Sequence, residues 1–291
     1  MEVREPHVGA DYRVPSATVQ RFPDCLQLVG WGTMTGLGVL SRVWWFLMAS
    51  ERYYRKEIVR LGRLLHQNCL VAATDGNLSV RLSPEKILVT PTGMSKGAMR
   101  PSDLVIVDPQ GRRLLGKRNV SSEIGMHLLI YRMRPDINAV VHAHPPTATG
   151  FAACGIALTQ PLVCEVVIGL GCIPLARYGT PGTPELTEAL EPLVPDYDAI
   201  LMSNHGVVTY GEELEQAYMK METVEHFAKI ALVSRMIGRE QPLNEEEVQK
   251  LMVARTKYAG VRSAATMPVQ STRRGNGSRV VPVFQTVKSG D

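Results

Sequence analysis

The stretch Ile137–Pro146 reads INAVVHAHPP, an apolar run that ends in two histidines one residue apart and closes on two prolines. The run predicts a strand, and on a strand residues two apart share a face. His142 and His144 would then present both imidazoles to one side, about 7 Å apart at the backbone. Taken alone, such a pair is better explained as strand-end histidines bonded to backbone or water. Other residues have to shift that balance.

Reading outward from this strand gives alternating elements. Upstream, SSEIGMHLLIYRMRPD (121–136) offers an N-cap at Ser121 or Ser122 and apolar spacing at Ile124, Leu128 and Tyr131, a helix ending before Pro135. Before it, TDGNLSVRLSPEKILVTPTG (74–93) predicts strands at Leu78–Leu82 and Ile87–Thr90 around a Ser-Pro turn, and DLVIVDPQGRRL (103–114) a strand, a turn and a short strand. From Ser50, a helix carries Ile58, Leu61, Leu64 and Leu65 on one stripe. Downstream come PTATGFAACG as helix, CIPLARY as strand and TPELTEALEPLV as helix. DAILMSNHGVVTYG is a strand with a turn inside, followed by a long amphipathic helix from Glu213 to Gly238 and a shorter one within 244–260. The pattern is that of a three-layer α/β protein.

With 291 residues the chain can bury one large core, and 45% hydrophobic with 21% charged residues is the balance of an ordinary globular domain. The net charge of +4 is modest, and much of the excess lies in the tail at Arg262, Arg273, Arg274, Arg279 and Lys288. No basic structured element with aromatic partners suggests a nucleic-acid binder. Five widely spaced cysteines, Cys25, Cys69, Cys154, Cys164 and Cys172, fit a reducing cytoplasm rather than a disulfide framework. Leu26–Met48 is apolar for about the length of a bilayer crossing, yet it holds Arg42 and four glycines and makes a poor spanning helix. Residues 1–49 are therefore expected to be a dispensable extension, 50–262 the folded domain and 263–291 a low-order tail.

His205, in LMSNHGVV at the end of a second apolar strand, is a third candidate ligand, and Glu123, at the start of the helix SSEIGMH, is a fourth. Three imidazoles and a displaceable carboxylate suit zinc or another borderline divalent ion. His127, four residues after Glu123, is the rival ligand, but Ile124, Leu128 and Tyr131 make its side of the helix look like core. His7, His66 and His226 read as structural or solvent-facing. Ser121 and Ser122 stand where a helix N-terminus favours phosphate. The Gly turns Thr74–Ser79 and Thr90–Ser95 are usable as an anion cradle, although each alone is more simply an ordinary turn.

GNLSVR, TPTGMS, SSEIGMH, AVVHAHPP, YGTPGT and NHG occur in an order and spacing that resembles the class II aldolase/adducin family, most of all its L-fuculose-phosphate aldolases, over roughly residues 51 to 260. The resemblance implies an α/β/α fold with a central, mostly antiparallel sheet. It also implies Zn2+ on His142, His144 and His205, with Glu123 as resting ligand and acid/base, and a substrate phosphate on Asn77, Thr92, Gly93, Ser121 and Ser122. It further implies a homotetramer with active sites at subunit interfaces, in which Tyr258 reaches a neighbouring site. A second interface tyrosine would fall near PLVCEVVIG, which has none; Glu165 is nearby. The implied reaction is cleavage of a ketose 1-phosphate, such as L-fuculose 1-phosphate, to dihydroxyacetone phosphate and an aldehyde. An aldolase for 5-deoxyribulose or 5-methylthioribulose 1-phosphate, a pentose-phosphate 4-epimerase, a methylthioribulose-phosphate dehydratase and a non-catalytic adducin-like scaffold are the alternatives. The epimerases carry aspartate where this chain has Glu123, and the scaffold predicts no bound metal.

Overall fold

A computed structural model describes residues 36–258, with side chains from Ser50 to Arg255. The chain divides between Val43 and Trp44, and the description below concerns the part from Trp44 onward, apart from the start of its first helix at Gly36. The residues before Gly36 and after Tyr258, including most of the apolar segment's first half and the basic tail, lie outside the described residues.

Eight strands form one sheet: β1 (Asn77–Ser83), β2 (Lys86–Val89), β3 (Val105–Val107), β4 (Arg113–Leu115), β5 (Ala139–Ala143), β6 (Leu175–Ala176), β7 (Ala199–Met202) and β8 (Gly206–Gly211). Their spatial order is β4-β3-β2-β1-β5-β8-β7-β6. Only the β6–β7 pairing is parallel, so the sheet is mixed and mostly antiparallel. The helices are α1 (Gly36–Gln67), α2 (Ile124–Met133), α3 (Pro146–Ala153), α4 (Cys164–Gly169), α5 (Pro184–Leu190), α6 (Leu214–Ile237) and α7 (Glu245–Tyr258). Among the described residues no helix is long and apolar enough to cross a membrane.

Period-two alternation along the strands builds two cores, one on each face of the sheet. Ile58 and Leu65 of α1, Phe151 of α3 and Met221 and Phe227 of α6 join Leu78, Val141, Leu201 and Val207 on one face. Met126, Leu129 and Ile130 of α2 and Leu186 and Leu190 of α5 join Ile87, Val105, Val140, Ile200 and Val208 on the other. Each such side chain, fully buried, contributes about 1.5–3 kcal/mol. The result is the expected three-layer α/β/α architecture.

Three local expectations change. Neither Ser121 nor Ser122 caps α2: the helix begins at Ile124, with Glu123 at the cap position and no side-chain cap bond. A turn precedes it, in which Ile124 N–H donates to the Ser121 carbonyl at 3.2 Å and Glu123 N–H to Ser121 Oγ at 3.3 Å. The CIPLARY strand shortens to Leu175–Ala176, where the edge of the sheet meets Pro174, which has no N–H to donate. Helix α4 falls in a stretch that gave no sequence signal.

Candidate functional site

Strand β5 lies between β1 and β8, antiparallel to both. Its C-terminal end therefore abuts the beginnings of the other two, with His142 opposite Asn77 on one side and Val208 on the other. His144 lies just past the end of β5. His205 occupies the tight turn from β7 into β8, where Asn204 adopts a left-handed φ of 56° that asparagine tolerates better than most residues. Gly206 follows because there is no room for a side chain: a Cβ there would lie 2.6 Å from the Ala143 carbonyl oxygen and 2.6 Å from the His144 ring. The local sequence NHG is thus a turn residue, a ligand and a gap.

The three imidazoles meet. Ring centroids are 4.9 Å apart for His142 and His144, 4.8 Å for His142 and His205, and 5.1 Å for His144 and His205. One nitrogen from each lies within 4.8 Å of the others, and His142 is fully buried. His142 Nδ1–H donates to the Val207 carbonyl at 2.9 Å, which leaves the Nε2 lone pair facing inward. His144 Nδ1 faces Asp75 Oδ2 at 3.4 Å, and its Nε2 lies 3.1 Å from that of His142. With both Nδ1 atoms carrying their protons, two lone pairs point at each other. A cation between them resolves that repulsion.

Glu123 lies against the cluster. Its Oε1 lies 2.9 Å from His205 Nε2 and its Oε2 3.3 Å from His142 Nε2. Oε1 is buried without an aligned hydrogen bond. Burial disfavours the ionised carboxyl, but His142 and His205 in their charged, N–H-donating form outweigh it and hold Glu123 below the usual carboxylate range; with neutral imidazoles a bound cation would supply that charge. Three inward imidazole nitrogens are a donor set for a divalent metal such as Zn2+, and the Glu123 carboxylate lies beside them.

A buried chain of hydrogen bonds aims that carboxylate. Asn77 Nδ2–H donates to Glu123 Oε2 at 2.8 Å and to Ser121 Oγ at 3.2 Å. Asn77 Oδ1 can only accept, so His127 Nε2–H donates to it, and His127 Nδ1 accepts from Ser79 O–H at 2.6 Å. Ser79 Oγ accepts in turn from Tyr131 O–H at 2.7 Å. Burial and the nearby His142 push the His127 imidazole down to about 3 despite the opposing Glu123, so it stays neutral. The rival reading of His127 is settled by position: it braces Asn77 and stands outside the metal cluster.

The remaining expected residues surround this centre unevenly. Thr92, Gly93 and Ser122 are exposed, Ser121 is half-buried and Asn77 is buried. The 90–95 turn is fixed beside the serines by Thr92 N–H donating to the Asn119 carbonyl at 3.1 Å. Gly93 has φ 65° and open space around it. Gly182 of YGTPGT packs on Ser122. Tyr258 ends α7, its side chain outside those described, and Glu165 is exposed on α4. Sequence reasoning passed over Asp75, inside one of the Gly turns it singled out, and Lys96, directly after the other. A charged residue flanking such a turn was the available signal.

The comparisons agree with this geometry. The profile of the family described as "Class II Aldolase and Adducin N-terminal domain" matches residues 56–232. The chain belongs to this family. A 5-deoxy-D-ribulose 1-phosphate aldolase of Bacillus thuringiensis serovar kurstaki is 34% identical over 199 residues, covering 68% of this chain and 92% of the relative. A 3-oxo-tetronate 4-phosphate decarboxylase of Escherichia coli is 33% identical over 187 residues, covering 63% and 88%. A solved L-fuculose 1-phosphate aldolase superposes with a TM-score of 0.64 at 31% identity, covering 69% of this chain and 94% of that one. Fold, family and histidine cluster together make this chain a class II aldolase-like, metal-dependent enzyme.

Proposed function

We propose that the chain reversibly cleaves a ketose 1-phosphate, L-fuculose 1-phosphate or a close analogue, to dihydroxyacetone phosphate and an aldehyde. The observation that carries this reading is a carboxylate held inside the histidine cluster by a buried amide, beside a serine whose proton is free. Glu123 is the proposed fourth ligand of the resting metal and the acid/base. A divalent ion on His142, His144 and His205 supplies Lewis-acid stabilisation of charge on a substrate oxygen.

The chain's own residues supply alignment and proton transfer. In the cleavage direction the C4 hydroxyl gives its proton to the Glu123 carboxylate, the C3–C4 bond breaks with its electron pair staying on C3, and C4 leaves as the aldehyde. Glu123 then delivers that proton to C3. Asn77 gives the carboxylate a fixed direction, and the neutral His127 behind it fixes Asn77. Ser121 Oγ accepts from both Asn77 and the Glu123 backbone, so its own proton remains available to donate. Ser122, Thr92 and Gly93 present their polar groups to solvent around it, and these residues are the proposed phosphate pocket. Fixing the phosphate turns binding into alignment of C3 and C4 with Glu123.

The proposal extends to a catalytic domain at 50–262 and to a homotetramer in which Tyr258 serves a neighbouring site. A second reading, favoured by the Bacillus relative, takes 5-deoxy-D-ribulose 1-phosphate as substrate. One experiment tests both. Metal content is measured by plasma mass spectrometry, and dihydroxyacetone phosphate is followed by coupled assay over a panel of ketose 1-phosphates. The expected result is one zinc-class ion per chain and turnover of at least one substrate. Release of carbon dioxide from a 3-oxo acid phosphate, with no ketose 1-phosphate cleaved, would overturn the aldolase reading. Light scattering at the mass of four chains is the expected oligomeric result.

A further inference from the structure

Lys96 lies directly after the 90–95 turn and is one of the largest fully buried side chains, with 1% of its surface exposed. Its ammonium donates to the Thr74 carbonyl at 2.9 Å and to the Met94 carbonyl at 2.7 Å. These carbonyls belong to the two glycine turns that flank the metal centre, one leading into Asn77 and the other containing Thr92 and Gly93. The hydrogen bonds of this buried cation thus go to backbone carbonyls and not to a carboxylate. The acids in its field are Asp75, which faces His144, and Glu123, which belongs to the metal cluster.

Burial without a paired anion is unfavourable for an ammonium, and here it pushes Lys96 down to about 8 against the opposing pull of Asp75 and Glu123. A hydrocarbon side chain of the same length would fill the space without a buried charge, but it would leave the Thr74 and Met94 carbonyls without this donor. What the lysine adds is a fixed positive charge behind two turns whose outer faces are open to solvent. An arriving phosphate dianion is a counter-charge for that ammonium.

We propose that Lys96 is a positioning residue for the substrate phosphate: its buried ammonium ties the 74–77 turn to the 90–95 turn and makes the space in front of them electropositive. The inference rests on the phosphate pocket of the proposed function and goes further by naming the group that charges and braces it. Lys96 does not touch the reacting carbons, so its effect falls on phosphate affinity and KM, with kcat largely kept.

The test compares the zinc-loaded wild-type protein with Lys96→Met and Lys96→Gln, using inorganic phosphate as the probe in calorimetric titrations. Both variants should keep their metal and a cooperative melt while phosphate affinity falls roughly tenfold to hundredfold, the range for one charge acting through a low-dielectric wall. In the wild type, phosphate affinity should also weaken as pH rises from 8.2 to 9.5, where inorganic phosphate is almost wholly the dianion. That measurement needs no variant to fold. Wild-type-like phosphate affinity in either metal-loaded variant, or a flat profile over that pH range, overturns the role of Lys96. Absence of phosphate binding to the wild type overturns the pocket and the inference together. Lys96-dependent phosphate binding in a protein that cleaves no ketose 1-phosphate leaves the inference standing and removes the proposed substrate.

Discussion

Replacing Gly206 by alanine is expected to separate the metal site from the fold. The new Cβ would lie 2.6 Å from the Ala143 carbonyl oxygen, 2.6 Å from His144 Cδ2 and 3.3 Å from His142 Cε1. Carbon atoms rest at about 3.5–4.0 Å, so the His144 contact is short by roughly 0.9 Å. Coordination distances tolerate only about ±0.2 Å, so a ring displaced that far is no longer a good ligand. Overpacking of this kind costs about 1–3 kcal/mol. Relieved through the ring, that strain appears as zinc affinity weakened about 5- to 150-fold. Relieved through the strand, it lowers the melting temperature by roughly 2–4 °C per kcal/mol. Competition against a chelating fluorophore measures the first and melting of the metal-free protein the second. A Gly206→Ala protein with wild-type zinc affinity and wild-type melting temperature would refute the steric reasoning about NHG.

Three further outcomes are expected. Glu123→Gln should retain zinc through the three histidines while kcat falls about 10²- to 10⁴-fold, read by metal analysis and the coupled assay; full activity would remove the acid/base role. Gly150→Ala, in an exposed position of α3 where a Cβ meets nothing within 4 Å, should stabilise by about 0.4–1 kcal/mol and leave zinc affinity unchanged, which makes it the control for Gly206. For Asp103, burial disfavours the carboxylate, but the Arg100 backbone N–H at 3.0 Å and Arg118 outweigh that and lower its pKa in the folded protein. Its stabilisation is therefore complete above the unfolded value of about 3.9 and lost as pH falls through the lower folded value. Asp103→Asn should melt lower than wild type at pH 7, with the gap closing below pH 4; a constant gap across that range would count against the assignment.

What the sequence shows of this molecule depends on how locally each feature is encoded. Strands β5, β7 and β8 are legible because an unbroken apolar run needs burial on both faces, and the two cores of the structure supply it. Helix α4 is not, because six residues are too few to show a 3.6-residue period and Val163 at its cap position sends no capping signal. The start of α2 is misread for a more instructive reason. Ser121 looks like a cap in isolation, but its hydroxyl accepts from Asn77, 44 residues away in sequence. That long-range bond keeps the serine outside the helix and turns Glu123 back toward β1 and β5. His127 was correctly placed in the core, yet nothing local reveals that its partners there are Asn77 and Ser79.

Register explains why residues so far apart in the chain meet at one point. Asn77 opposite His142, and His142 opposite Val208, set the beginnings of β1 and β8 against the end of β5. Three of these side chains then need only a short step from a strand end: His144 one residue past β5, His205 one residue before β8, Asn77 the first residue of β1. Helix α2 brings Glu123 in from the face that His142 already points to, since Val140, two residues earlier, packs against α2 and α5 in the second core. A slip of one residue in β5 would send His142 to the opposite face and exchange it for an alanine. The large apolar side chains on both sides of β5 are therefore what fix the metal site, because they make that slip unaffordable. The same packing lets the turns around the centre, where the phosphate pocket is proposed, remain open to solvent.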